Sequence, residues 1–180
     1  MKKMFLLLAV SLILLTSCLT VQKELIKEAE DMTLGGNYIV ERSVWIKGKK
    51  TIWISPFYPD SKPGTASFAF QGKSDYYEIK VYFFDENDGK CTFNLYINDQ
   101  KIDTWMPDKD FGDKHASFYN YQIRLVSGVK LESGDTVKLE GIAHVKDEKT
   151  AELARVDKIS LVQTKDKIIK ALTIDAPEKK

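Results

Sequence analysis

The sequence predicts an all-β domain, a sandwich or barrel of short antiparallel strands. Three observations predict it. Tyr77, Ile79, Val81 and Phe83 alternate with Glu78, Lys80 and Tyr82, the period-two pattern of a sheet with one buried face. Strand-like segments recur roughly every ten residues with polar turns between them. Helical periodicity is weak along the whole chain.

The elements follow in order. Lys2 and Lys3 precede an apolar run of twelve residues, 4–15. A helix needs about 20 residues to span a bilayer, so the run suits the core of an export signal instead. It ends in Leu15-Thr16-Ser17-Cys18, which resembles the bacterial lipobox. That resemblance implies cleavage before Cys18 and a lipid on its thiol, and multiple acyl chains would hold the protein firmly to a membrane. The alternative is a plain secretory signal with an incidental cysteine. Residues 18–27 read as a charged tether.

Strands are then expected at 38–40, 44–46, 51–54, 65–70, 76–84, 92–97, 101–105, 121–126, 136–145 and 155–162. Asp85-Glu86-Asn87-Asp88-Gly89 reads as a hairpin turn, because glycine and the short polar side chains accept turn backbone. Its glycine falls one position early for a helix-loop-helix calcium loop, and Tyr96 stands where that loop needs glutamate. Asn98-Asp99-Gln100 closes a second hairpin. Residues 166–172 are the one plausible helix, and 164–180 are expected to form a poorly ordered tail. The domain proper is thus 28–163.

Composition excludes several functions. The chain of 180 residues is 43% hydrophobic and 29% charged, as one globular domain would be. Its 27 basic and 26 acidic residues leave a net charge of +1, without the basic excess of a nucleic-acid binder. Two cysteines cannot build a disulfide framework. With Cys18 used as an anchor, Cys91 reads as a small packing residue. His115 and His144 form no metal-type pair, and no nucleophile elbow or phosphate-binding glycine loop is present. No enzyme signature stands out.

Binding residues are sought in the loops, where sandwiches keep their function. Residues 55–64 carry Phe57 and Tyr58. Residues 106–120 carry Asp108, Asp110, Asp113, His115, Phe118 and Tyr119. Trp105, at a strand-to-loop edge, reads either as a core plug or as an exposed platform for a sugar ring. Glu28 and Glu30, two apart, would share one face of an opening strand. They read either as a solvated acidic strand start or as half of a cation site, since hard cations take several carboxylate oxygens. Asp157 alone is an unremarkable acid.

Taken in order, Lys27-Glu28-Ala29-Glu30-Asp31-Met32-Thr33-Leu34-Gly35-Gly36-Asn37-Tyr38, the strands around 77–89 and 93–105, and Ala154-Arg155-Val156-Asp157-Lys158-Ile159 resemble carbohydrate-binding modules of families six and thirty-five. The resemblance covers about 25–163. It implies a galactose-binding-like jelly-roll β-sandwich with a structural calcium held by Glu28, Glu30 and Asp157. It also implies a sugar site in the loops at one end of the sandwich, with Trp105, Tyr58 and Asp108 as its candidates and Asp147 and Glu148 as further loop acids.

The sequence therefore predicts a lipid-anchored protein of the bacterial cell envelope that binds a polysaccharide or glycan without catalysis. The alternative is a sandwich with no sugar site, serving as a scaffold for an envelope protein partner.

Overall fold

A computed structural model describes residues 24–43, 46–55, 62–86, 89–109, 111, 115–147 and 150–175. The export signal, Cys18 and Tyr58 lie outside them. The described chain is all β. Its strands are β1 (Leu25–Glu28), β2 (Thr33–Gly36), β3 (Tyr38–Arg42), β4 (Lys50–Ile54), β5 (Gly64–Ala69), β6 (Asp75–Phe84) and β7 (Thr92–Ile97). They continue with β8 (Gln100–Trp105), β9 (Tyr121–Leu131), β10 (Thr136–Ile142), β11 (His144–Asp147), β12 (Thr150–Glu152), β13 (Val156–Gln163) and β14 (Lys170–Asp175). A single 3-10 turn, Ala29–Asp31, follows β1.

Two antiparallel sheets form the expected sandwich. One runs β14-β9-β6-β13-β4-β3, with β1 sharing an edge of β13; the other runs β2-β5-β10-β7-β8. β11 and β12 form a separate hairpin. The alternating residues of β6 meet those of β7, β10 and β13 between the sheets. Ile79, Val81, Phe83, Phe93, Leu95, Val137, Leu139, Ile159 and Leu161 are fully buried there. Each such side chain contributes about 1.5–3 kcal/mol by leaving water, so the two-residue period both selects the strands and fixes their facing.

Several expectations are corrected. The segment expected at 136–145 is two strands, broken at Ala143. Ile46 belongs to a turn rather than to a strand. β9 runs on past Val126 to Leu131 because Gly128, at φ 77°, carries it through an irregular register against β6. Residues 85–89 do not close a hairpin: β6 and β7 lie in different sheets, so this link crosses between them. Residues 25–27, expected in the tether, belong to a strand: Leu25–Glu28 pairs with β13. The described part of the expected tail holds a strand where a helix was expected, and residues 176–180 lie outside the described residues. Lys170–Asp175 lies antiparallel to β9 as an edge strand.

Glu28 and Glu30 are not on one strand face either, because Ala29–Asp31 is a 3-10 turn. Ala29 is fully buried and pins that turn to the core. In consequence the two glutamates flank an anchored residue at the edge of β13.

Candidate functional site

Two groups of polar residues lie beside each other near the start of β13. The first gathers around Asp157. The register of β13 against β6 skips there, with Val156 opposite Phe83 and Lys158 opposite Tyr82, so Asp157 is an extra, bulged residue. Bulges re-aim a side chain out of the regular pleat, which is why alternation could not assign Asp157 a face. Asp157 is 0% exposed. Its Oδ2 accepts from the Tyr121 hydroxyl and the Lys49 ammonium. Its Oδ1 is buried without a hydrogen-bond partner, as is Oε2 of Glu30. Glu28, opposite Lys158 in the ladder, lies close enough to raise the Tyr121 phenol electrostatically. Desolvation first, and Asp157 second, push that phenol well above its ordinary range.

Glu28 pairs with Lys158, next in sequence to Asp157, and the 3-10 turn that carries Glu30 follows it, so segments from opposite ends of the domain meet along β13. Two orphaned, buried carboxylate oxygens cost free energy unless a donor or cation meets them. Among the described residues no group of three or more acidic, histidine or cysteine side chains is placed to hold a metal ion. Sequence reasoning missed Lys49 and Tyr121, which carry no motif. Lys49 ends a tight turn in which Lys47 and Gly48 take positive φ, 56° and 72°. Its amide donates to the Ile46 carbonyl, and its carbonyl accepts from the Ser43 amide.

The second group is a buried acidic cluster at the β6–β7 crossover. Asp85, Glu86 and Glu152 are 2%, 2% and 0% exposed. Arg155 is the counter-charge of Glu86: its Nε donates to Glu86 Oε1 at 2.9 Å, its Nη1 pairs with Glu41, and its guanidinium lies over Trp53 at 5.0 Å. Ala154 holds a positive φ of 48° just before it, aiming Arg155 away from the strand pleat. Glu152 Oε2 accepts from the Cys91 amide at 2.8 Å, and Asp85 Oδ2 from the Lys109 amide at 3.2 Å. Burial dominates both acids, pushing Glu152 up to about 9 and Asp85 up to about 6 against those hydrogen bonds. One signal in the sequence pointed here: two acids follow directly on the core residues Phe83 and Phe84.

Described residues of the β8–β9 loop reach Asp85. The Asp85 amide donates to the Asn120 carbonyl at 2.9 Å, and Asn120 closes a turn onto His115 and Ser117. Phe84, Ile46 and Ala116 form a small buried core beneath it, with Tyr121 packed against them. Above that core Tyr119 is 78% exposed and Phe118 is exposed beside it. Asp108 is exposed in the same loop and close enough to raise the Asp85 carboxyl.

Trp105 is not a platform. It is 6% exposed and stacked on Phe93 at 5.1 Å, with Phe83 at 6.0 Å and the Arg124 guanidinium at 5.6 Å. The physical reason is strand parity: Trp105 pairs with Phe93, whose side chain faces the core. Tyr58, Glu148 and the side chain of Asp147 lie outside what is described.

Solved structures share this architecture. The chain superposes on a family 35 carbohydrate-binding module from Clostridium thermocellum with a TM-score of 0.56 at 14% identity, covering 79% of this chain and 99% of that one. The fold is that of a carbohydrate-binding module. The C-terminal family 6 module of the marine laminarinase LamC from Zobellia galactanivorans gives a TM-score of 0.52 at 14% identity, covering 78% of this chain and 100% of the module. An exo-beta-1,3-galactanase from Phanerochaete chrysosporium, solved with beta-1,3-galactotriose, gives 0.53 at 17% identity over 79% of this chain and 30% of the enzyme. At these identities the likeness is one of fold. No protein-family model matches the sequence. By sequence the chain is 30% identical over 122 residues to a probable alpha-glucuronidase A of Aspergillus oryzae, covering 64% of this chain and 14% of the enzyme. A probable alpha-glucuronidase A of Aspergillus terreus is 29% identical over 116 residues, covering 56% of this chain and 14% of the enzyme. The matched stretch is thus a small part of those relatives.

Proposed function

We propose that this chain is a non-catalytic glycan-binding module, stabilised by calcium and carried on a lipoprotein of the bacterial envelope. The observation that carries the binding reading is that Phe118 and Tyr119 are exposed in the β8–β9 loop, which also carries the exposed Asp108, on a sandwich of this fold. Aromatic faces stack on the apolar C–H faces of sugar rings, and nearby carboxylates accept from hydroxyls. Tyr119 and Phe118 take the role that the sequence reading gave to Trp105, with Asp108 as the polar partner. Individual contacts of this kind are modest, and many anchored copies on one membrane add avidity.

Glu28, Glu30 and Asp157 would hold the calcium. A bound ion would cross-link β1 and the turn after it to β13 and would satisfy the two orphaned carboxylate oxygens. Tyr121 orients Asp157 for that role by its hydroxyl. The lipid on Cys18 rests on the lipobox resemblance, and mass spectrometry of the exported protein against Cys18→Ala tests it.

The test of binding is an array of neutral and uronate-bearing polysaccharides, including galactans, probed with calcium and with chelator. Loss of binding in Tyr119→Ala with retention of fold supports the reading. Silence on every glycan, with or without calcium, sinks it, and release of reducing ends would replace it with catalysis.

A second reading, a protein-docking sandwich in an envelope complex, has one observation in its favour. Edge strand β14 and the turn before it expose Ile168, Ile169, Leu172 and Ile174, and an open apolar edge is a template for a partner strand.

A further inference from the structure

The turn between β13 and β14 is held to the sandwich yet presents its apolar side chains to water. The Thr164 amide donates to the Tyr76 carbonyl at 2.9 Å, and Ser127 Oγ donates to Asp166 Oδ2 at 3.1 Å. A Cβ on Gly128 would collide with the Ile168 carbonyl oxygen, so the turn lies directly on β9. Despite these anchors Ile168 is 72% exposed and Ile169 50%. An exposed apolar patch rimmed by polar groups marks a docking surface. The rim here is basic. Lys165, Lys167 and Lys170 are exposed, against one acid, Asp166, in the same stretch. Among the described residues no ion pair includes any of the three lysines. The acids of neighbouring segments are engaged elsewhere: Glu132 with Lys130, Asp99 with Lys138, and Asp75 with the Tyr76 amide and Gln163.

Strand register puts this turn at the end of the sandwich where the chain enters. β1 starts at Leu25 opposite Leu161, and β13 runs on only to Gln163 before the turn. Residues 18–23 separate Cys18 from that entry by a reach of at most about 20 Å. The loop that carries Phe118 and Tyr119 precedes the opposite end of β9, whose eleven residues span about 30 Å.

We propose that the turn 164–170 docks on the anionic surface of the membrane that holds Cys18. Ile168 and Ile169 enter the headgroup boundary, and Lys165, Lys167 and Lys170 meet anionic headgroups. This rests on the lipid-anchor reading above and adds a second membrane contact to it. A weak surface suffices, because the tether keeps its local concentration high. Docking at this end also sets an orientation: the Phe118–Tyr119 loop faces away from the bilayer, toward glycans outside it.

The test follows an environment-sensitive fluorophore on Ile169→Cys of the full chain, reconstituted in vesicles of phosphatidylglycerol and phosphatidylcholine. Cys91 is fully buried, wild type carried through the same labelling gives the background, and mass spectrometry reports whether Cys18 carries lipid. The label should brighten and shift to the blue in these vesicles, and less in phosphatidylcholine alone. A label on Tyr119→Cys should stay aqueous in both. A second measurement sediments the chain from residue 18 onward, made without lipid, with the same anionic vesicles. Each lysine near an anionic surface raises partitioning about fivefold. The triple variant Lys165→Gln, Lys167→Gln, Lys170→Gln should therefore bind about a hundredfold more weakly, with its melting temperature near wild type. An aqueous label at 169 in anionic vesicles, or a triple variant that sediments like wild type, overturns the docking surface. If Cys18 then carries lipid, the anchor stands and the turn is left to a protein partner. A buried label and lysine-dependent sedimentation without lipid on Cys18 keep the surface and sink the anchor reading instead.

Discussion

Arg155 and Glu86 form a buried ion pair, Nε to Oε1 at 2.9 Å, that ties the start of the last core strand to the crossover between the sheets. Their side chains are 7% and 2% exposed. Such a pair is costly to break from one side, because the surviving charge is left buried without its partner. Arg155→Ala also strands Glu41 and uncovers Trp53. We expect it to cost about 3–5 kcal/mol, read as a fall in the urea midpoint. A loss below about 1 kcal/mol, typical of surface pairs, would contradict the pairing.

The same cluster makes stability depend on pH. Glu152 is raised to about 9 and Asp85 to about 6, both mainly by desolvation. The folded protein therefore holds protons that the unfolded chain, with carboxyl pKa values near 4, has released. The stability linked to them is full below about pH 4 and is lost as pH rises, for Asp85 until about 6 and for Glu152 until about 9. Glu152 alone gives a slope of at most about 1.4 kcal/mol per pH unit. Urea midpoints at pH 5, 7 and 9 should fall steadily in wild type, and Glu152→Gln should flatten the series. Equal midpoints across that range would refute the assignment.

Tyr119 and Trp105 separate binding from folding. Trp105→Ala removes a stacked core residue and should cost about 3–5 kcal/mol. Tyr119→Ala touches a side chain in water and should change stability by no more than about 0.5 kcal/mol, while removing glycan retention on an affinity gel. The reverse pattern would return the platform to Trp105. In the sequence Trp105 stands at a strand-to-loop edge and Tyr119 in the loop that follows. What separates them is register: Trp105 falls opposite Phe93 and inherits its inward face, whereas residues 117–119 hang from the turn closed by Asn120.

The carboxylate edge shows the same division between what is legible and what is not. Glu28, Glu30 and Asp157 were legible only through a resemblance spanning the domain. Strand alternation could not assign them, because one lies in a bulge and another in a 3-10 turn. Glu30→Ala should lower the melting temperature in calcium and leave it unchanged in chelator. An equal drop under both conditions would mean that Glu30 serves the fold without a metal.

The last strand is where local pattern misled most. Residues 166–172 look helical over seven positions, yet Lys170, Leu172 and Ile174 alternate with Ala171, Thr173 and Asp175, and that period of two wins once β9 offers an open edge. Gly128 records the fit. It sits at φ 77°, and a Cβ there would come within 2.2 Å of the Ile168 carbonyl oxygen. Gly128→Ala should therefore cost more than the 1–2 kcal/mol of left-handed backbone strain alone. Truncation after Thr164 should itself cost about 1–2 kcal/mol, since roughly 0.5–1.5 kcal/mol per ladder hydrogen bond is largely offset by freed chain entropy. Combined, the two changes should cost less than their sum, because the truncated chain no longer holds the carbonyl that the new methyl would strike. Strict additivity in the melting data would show that residues 165–175 do not pack against β9.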